Sequence, residues 1–196
     1  MTVRLMAADR LPVSRRFGEV RQPYVVGLVG ILATVTMLFV AFTAALLVRR
    51  TAADWVRIDL PGILWWNTGV ILASSLTLEL SRRALRRGAR LGSERWAGAT
   101  FGLGLLFLAA QAAAWWVLGR QGVFLPSSPY ASFFYLLSAV HGAHLLGGLG
   151  ALGWCWRKIR LGAYSALEHR GFTHAATYWH FVGGLWLYVF LLLRAL

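Results

Sequence analysis

Apolar residues fall along this chain in five long runs, separated by short stretches that hold most of the charge. The first run, Tyr24 to Val48, contains no charged residue and stops at Arg49-Arg50. The others are Pro61 to Leu85, Arg95 to Leu118, Tyr130 to Trp156 and Thr173 to Leu193. Each is close to the roughly 20 residues that a helix needs to cross a bilayer. Backbone polar groups in lipid must be satisfied within the segment, which selects helices over open strands. A membrane β-barrel would show alternating segments of about 10 residues; these runs are continuous. The pattern predicts an all-α polytopic membrane protein, a five-transmembrane-helix bundle over residues 24–196. A cytoplasmic N-terminal arm, residues 1–23, precedes it. Pro61 is expected in a first helical turn, and Pro126-Ser127-Ser128-Pro129 reads as a turn before the fourth helix.

Composition agrees with the pattern. Of 196 residues, 58% are apolar and 14% charged, against roughly 25% charged in a soluble domain. The net charge of +13 raises nucleic acid as a partner. Its distribution argues for none, because the arginines stand in blocks between apolar runs and form no base-reading stripe. Ten tryptophans lie mostly at run ends, as in an interfacial belt. The lone Cys155 lies inside an apolar run and reads as a buried small side chain. The arm carries five arginines and lacks a signal-peptide apolar core, so the first run is expected to remain as a span.

Charge also sets the expected orientation. Five Lys or Arg lie in the arm, six around the second connection and four around the fourth. The opposite side holds the remaining five. The bias predicts a cytoplasmic N-terminus and an outside C-terminus.

Small residues mark expected helix contacts: Gly98 and Gly102 with the alanines from Ala109 to Ala114 in the third span, and Gly142, Gly147, Gly148, Gly150 and Gly153 in the fourth. Gly183-Gly184 interrupt the fifth. Polar residues inside spans are few. Asn67 and Ser74 are two turns apart on one face and read as interhelical hydrogen-bonding groups, with Gln111 in the same class. Glu79 is the only acid well inside a span, where a carboxylate is costly. Arg82 and Arg83 follow at helical pairing distance, so a local ion pair is expected. His141 and His144, three apart, share a side of the fourth span, and His180 heads the fifth within Tyr178-Trp179-His180-Phe181. No HExxH, cysteine pair or acid cluster accompanies them. Two ligands three apart on one helix cannot take both axial positions of a haem. Hydrogen bonds between helices, or to a lipid headgroup, are the expected role. No nucleotide-binding or nucleophile motif occurs, so no catalytic, cofactor-binding or metal residue is assigned.

Four blocks, in order, resemble subunit III of the haem–copper terminal oxidases, the cytochrome c oxidase subunit 3 family. They are Leu64-Trp65-Trp66-Asn67-Thr68 running to Ser74-Ser75, Leu105 to Gln111, His141-Gly142-Ala143-His144 with Gly147, and Tyr178-Trp179-His180-Phe181-Val182 with Trp186. The last two are similar to the family's HGxHxxxG and YWHFVDxxW. The resemblance covers roughly Tyr24 to Leu196 and matches the five-helix bacterial form. It implies a subunit without redox centres that packs on subunit I, stabilises it and supports proton uptake during oxygen reduction. Haem and copper are then expected in partner subunits, subunit II among the partners, with membrane lipid and bound phospholipid as further components. The chain departs from the pattern at three carboxylate positions, where Met37, Thr173 and Gly183 stand, which weakens a proton-gathering role tied to those acids. The resemblance leaves open a nitric-oxide-reductase-associated relative and a quinol-oxidase subunit. A stand-alone transporter is the alternative from another class, with Gly183-Gly184 as its only candidate helix break. A haem-binding membrane cytochrome is a further one.

Overall fold

The computed structural model describes residues 22–165 and 168–196. Residues 1–21 of the expected arm lie outside them, and residues 22 and 23 are already helical. Five helices follow in order: α1 Gln22–Arg49, α2 Ile63–Arg86, α3 Arg90–Arg120, α4 Pro129–Arg160 and α5 Arg170–Ala195. Each is long and apolar enough to cross a membrane. No strand occurs among the described residues.

Every expected span is present, but most helices run past its apolar limits. α3 begins at Arg90, five residues before Arg95, and α4 continues to Arg160. The reason is that helices stop at caps and not at the edge of hydrocarbon. Gly88, Gly122 and Gly162, with φ of 75°, 76° and 71°, follow the last turns of α2, α3 and α4. Beyond each, the next N–H reaches back to a carbonyl of the final turn: Ala89 to Ala84, Val123 to Leu118 and Ala163 to Lys158. These are left-handed glycine caps. At the start of α4, Ser128 Oγ accepts from Ala131 N–H at 3.1 Å and Pro129 occupies the first turn. Pro61 instead precedes its helix: α2 begins at Ile63 after Gly62, and Pro61 contributes only its carbonyl, to Leu64 N–H.

The helices α2, α3, α4 and α5 form a closed ring in which each packs on the next and α5 returns to α2. α1 lies outside the ring against α4 and α5. Its attachment is thin. Among its described side chains only Val35, Phe39 and Leu46 are buried, with Thr43 hydrogen-bonded to the Tyr188 hydroxyl of α5 at 2.8 Å. Met37, at one of the substituted acid positions, faces outward and is 73% exposed. The fifth helix is unbroken through Gly183-Gly184. Gly183 is buried against Ser75 and Ile71, while nothing lies near Gly184.

Candidate functional site

The interior of the ring is built around two tryptophans of α5. Trp179 and Trp186 are seven apart, two helical turns, and so present both indoles to one side. Both are fully buried. Trp179 Nε1 donates to Ser74 Oγ at 3.0 Å and Trp186 Nε1 to Thr68 Oγ1 at 3.1 Å, both on α2. Each hydroxyl in turn donates to a carbonyl of its own helix, Ser74 to Ile71 O and Thr68 to Leu64 O. A buried indole N–H needs a partner, and two hydroxyls of α2 supply it.

The Trp179 ring then needs room. Its far edge lies where a side chain on Gly104 of α3 would be: a Cβ there would stand 2.7 Å from Trp179 Cη2 and from Leu149 Cδ2. Gly148 of α4 makes the same accommodation, with a Cβ position 3.1 Å from Trp179 Cε3 and Tyr178 Cε1. Tyr178 completes the contact by donating to His144 O at 3.1 Å. Gly98 and Gly153 admit Trp156 and Phe101 in the same way. Gly102, Gly147 and Gly150 do not: nothing lies within 4 Å of their Cβ positions. The small-residue faces expected in α3 and α4 thus divide, and only some of their members touch a helix.

One layer toward the α1–α2 loop end, Asn67 Nδ2 donates to Gln111 Oε1 at 3.1 Å, joining α2 to α3. His141 of α4 is fully buried there. Its ring packs on Phe107 and Trp186, at centroid distances of 5.8 Å and 5.1 Å. His144 turns elsewhere, to Phe39 of α1 at 6.0 Å. Its Nδ1 donates to Val140 O of its own helix at 2.8 Å. The expectation of interhelical hydrogen bonds for these histidines therefore needs correction. His144 bonds within its helix, and His141 has no partner among the described residues. Three residues along a helix are a turn of about 300°, enough to place one imidazole inside the ring and the other toward α1.

At the opposite end, Glu79 pairs with Arg82 at 2.9 Å and Arg83 at 3.2 Å. His180 is half-buried on α5, and the charged groups bearing on it are Arg82 and Glu79. Arg160 of α4 pairs with Glu94 of α3 at 3.2 Å. At the α1–α2 loop, Arg49 holds Asp54 by two hydrogen bonds. These hold the exposed Asp54 carboxyl below the usual range. Among the described residues no three His, Cys, Asp or Glu side chains converge on a point that could hold a metal ion. The three histidines named above sit in separate surroundings: His141 against Phe107 and Trp186, His144 against Phe39, and His180 near Arg82 and Glu79.

Gly148, expected from the sequence as a helix contact, carries this packing together with Thr68 and Gly104, which were not singled out as site residues. The signal for Thr68 was its place one residue after Asn67. For the glycines it was only the density of small residues, which does not say which way each one points.

Comparison with known proteins gives this arrangement a family. The sequence profile described as cytochrome c oxidase subunit III matches residues 27–195. The chain is 33% identical over 163 residues to cytochrome c oxidase subunit 3 of Synechocystis sp., covering 79% of this chain and 67% of that one. It is 32% identical over 180 residues to cytochrome c oxidase subunit 3 of Thermostichus vulcanus, covering 88% and 87%. A probable cytochrome c oxidase subunit 3 of Mycobacterium bovis is 35% identical over 123 residues, 63% of this chain and 61% of that one.

Proposed function

Because the chain belongs to the cytochrome c oxidase subunit III family, we propose that it is a non-catalytic membrane subunit of a respiratory haem–copper oxidase. It packs on the large redox-bearing subunit, stabilises it and supports proton uptake while the complex reduces oxygen. The observation that carries this reading is the fate of the buried polar groups. Asn67, Ser74, Thr68, Gln111 and the indoles of Trp179 and Trp186 bond to one another across helices. These bonds join α2 to α3 and α2 to α5 into one packed body. Such a body acts through its outer surface.

That surface is broad and apolar. Trp66, Met37, Leu76 and Leu146 are all more than half exposed, as lipid- or partner-facing residues are in a membrane complex. The separate surroundings of His141, His144 and His180 support placing haem and copper in partner subunits. The names of the relatives support oxygen over nitric oxide as the substrate of the complex. The Lys and Arg bias supports an N-terminus on the cytoplasmic side of a bacterial inner membrane.

Stripping this subunit from the purified complex tests the role. The expected result is that haem absorbance and initial oxygen consumption are retained while activity decays faster over repeated turnover. Disappearance of a haem signal with the large subunit still present would contradict it.

A further inference from the structure

We infer that the helix ring holds a structural water site, bounded by Asn67 of α2, Gln111 of α3 and His141 of α4, beside the indole of Trp186. Helix register sets the level of each of these side chains. Between the antiparallel helices α3 and α4, Gly98 meets Trp156, Gly153 meets Phe101 and Gly104 meets Leu149. Farther along, Trp115 Nε1 bonds Ser138 Oγ at 3.0 Å. Each step forward on α3 is a matching step back on α4, which puts Gln111 level with His141 and Gly142. Gln111 is also one turn beyond Phe107, the ring on which His141 packs. Between α2 and α5, the Thr68–Trp186 and Ser74–Trp179 bonds set Asn67 at the level of Trp186. The three polar side chains therefore occupy one layer, enclosed by Phe107 and Trp186.

Hydrogen bonding within this layer is incomplete. Asn67, Gln111 and His141 are 0%, 3% and 0% exposed. The amides share a single bond. Asn67 Oδ1, Gln111 Nε2 and both nitrogens of His141 have no partner among the described residues. That leaves an amide acceptor, an amide donor and an imidazole that offers one of each. Exchanging O and N in both amides preserves the balance, one donor and one acceptor over, so the conclusion does not depend on how the amides are assigned. A group in hydrocarbon surroundings cannot turn to bulk solvent, and a lipid headgroup cannot reach a fully enclosed layer. A cation would meet the Gln111 N–H₂ or its Asn67 equivalent, and the layer has no carboxylate to attract it. Water both donates and accepts. It can accept from Gln111 Nε2, donate to Asn67 Oδ1 and close on His141, the two to four polar contacts that buried waters make. The site would tie α4 into the α2–α3 amide pair at the level where Trp186 ties α5 to α2.

Water-edited solid-state NMR on the full chain in its native complex, with ¹⁵N-labelled histidine, tests this. The His141→Phe variant identifies the ring signals. The expected result is rapid magnetisation transfer from water to a His141 ring nitrogen, and loss of that transfer in Gln111→Met. Absence of transfer in the native chain, or undiminished transfer in the variant, overturns the proposal. If the variant does not assemble, cryo-EM density of the native complex decides. A water peak within hydrogen-bond distance of His141 and Gln111 supports the site. Direct side-chain contact between them, with no water peak, refutes it.

Discussion

Replacing Gly104 by alanine adds one methyl group, and the surroundings set its cost. The new Cβ would lie 2.7 Å from Trp179 Cη2, 3.1 Å from Trp179 Cζ2 and 2.7 Å from Leu149 Cδ2. A leucine methyl can rotate away. The indole cannot, because its Nε1 is bonded to Ser74 and its other edge already rests against Gly148. Overpacking of this kind costs about 1–3 kcal/mol. Alanine in a helix returns about 1 kcal/mol relative to glycine. With a rigid ring as the obstacle the upper part of the range applies, and the net loss is about 2 kcal/mol, or roughly 30-fold in the folding equilibrium. Gly102→Ala is the control, two residues away in the same helix. Nothing lies within 4 Å of its Cβ position, so that variant is expected to be neutral or more stable by up to about 1 kcal/mol. Reversible unfolding in mixed micelles, followed by tryptophan emission, measures both. Trp179→Phe supplies a second check. Phenylalanine has no atoms where Cζ2 and Cη2 lie, so Gly104→Ala should cost less in that background, and the two changes should be non-additive. Equal stabilities for the two alanine variants, or full additivity with Trp179→Phe, would refute the packing argument.

Three smaller predictions follow from the ends of the bundle. Glu79→Gln removes a half-exposed local ion pair and should cost about 0.5 kcal/mol with oxygen turnover of the assembled complex unchanged; a large fall in turnover with assembly intact would assign Glu79 a proton-handling role instead. Tyr130→Phe removes the bond from its buried hydroxyl to Leu193 O at 2.6 Å and should destabilise the end of α5 by about 1 kcal/mol, seen as faster amide exchange in its last turn. Asp54 is held below its ordinary pKa by hydrogen bonding from Arg49. The folded state therefore takes up this proton less readily than the unfolded one, so the stabilisation is present above the unfolded pKa of about 3.9 and is lost as pH falls through the lower folded value. Asp54→Asn should remove that acid-side dependence from a stability–pH profile, and an unchanged profile would show that the pair contributes nothing.

The number and nature of the helices were legible because hydropathy reports directly on the solvent of a span. Their ends were less so, since Gly88, Gly122 and Gly162 stop them by backbone geometry and not by polarity. The Glu79 pairing could be read from spacing alone, because both partners lie on one helix. Contacts between helices could not. Gly102 and Gly104 look alike in the sequence, yet one faces outward and the other seats Trp179, a distinction set by the register of α3 against α4 and α5. The same holds for the histidine pair, where the rotation of α4 against its neighbours turns His141 to Phe107 and Trp186 and His144 to Phe39 of α1. The run that became α1 is apolar on all sides, so its pattern carries no mark of which face packs.

The proposed role rests on a partner. Affinity purification from gently solubilised membranes, using a tag on this chain, tests it most directly. The predicted result is recovery of a large haem-bearing subunit, with haem absorbance and oxygen consumption in the same fraction. Recovery of this chain alone, in folded form and without haem absorbance, would contradict it.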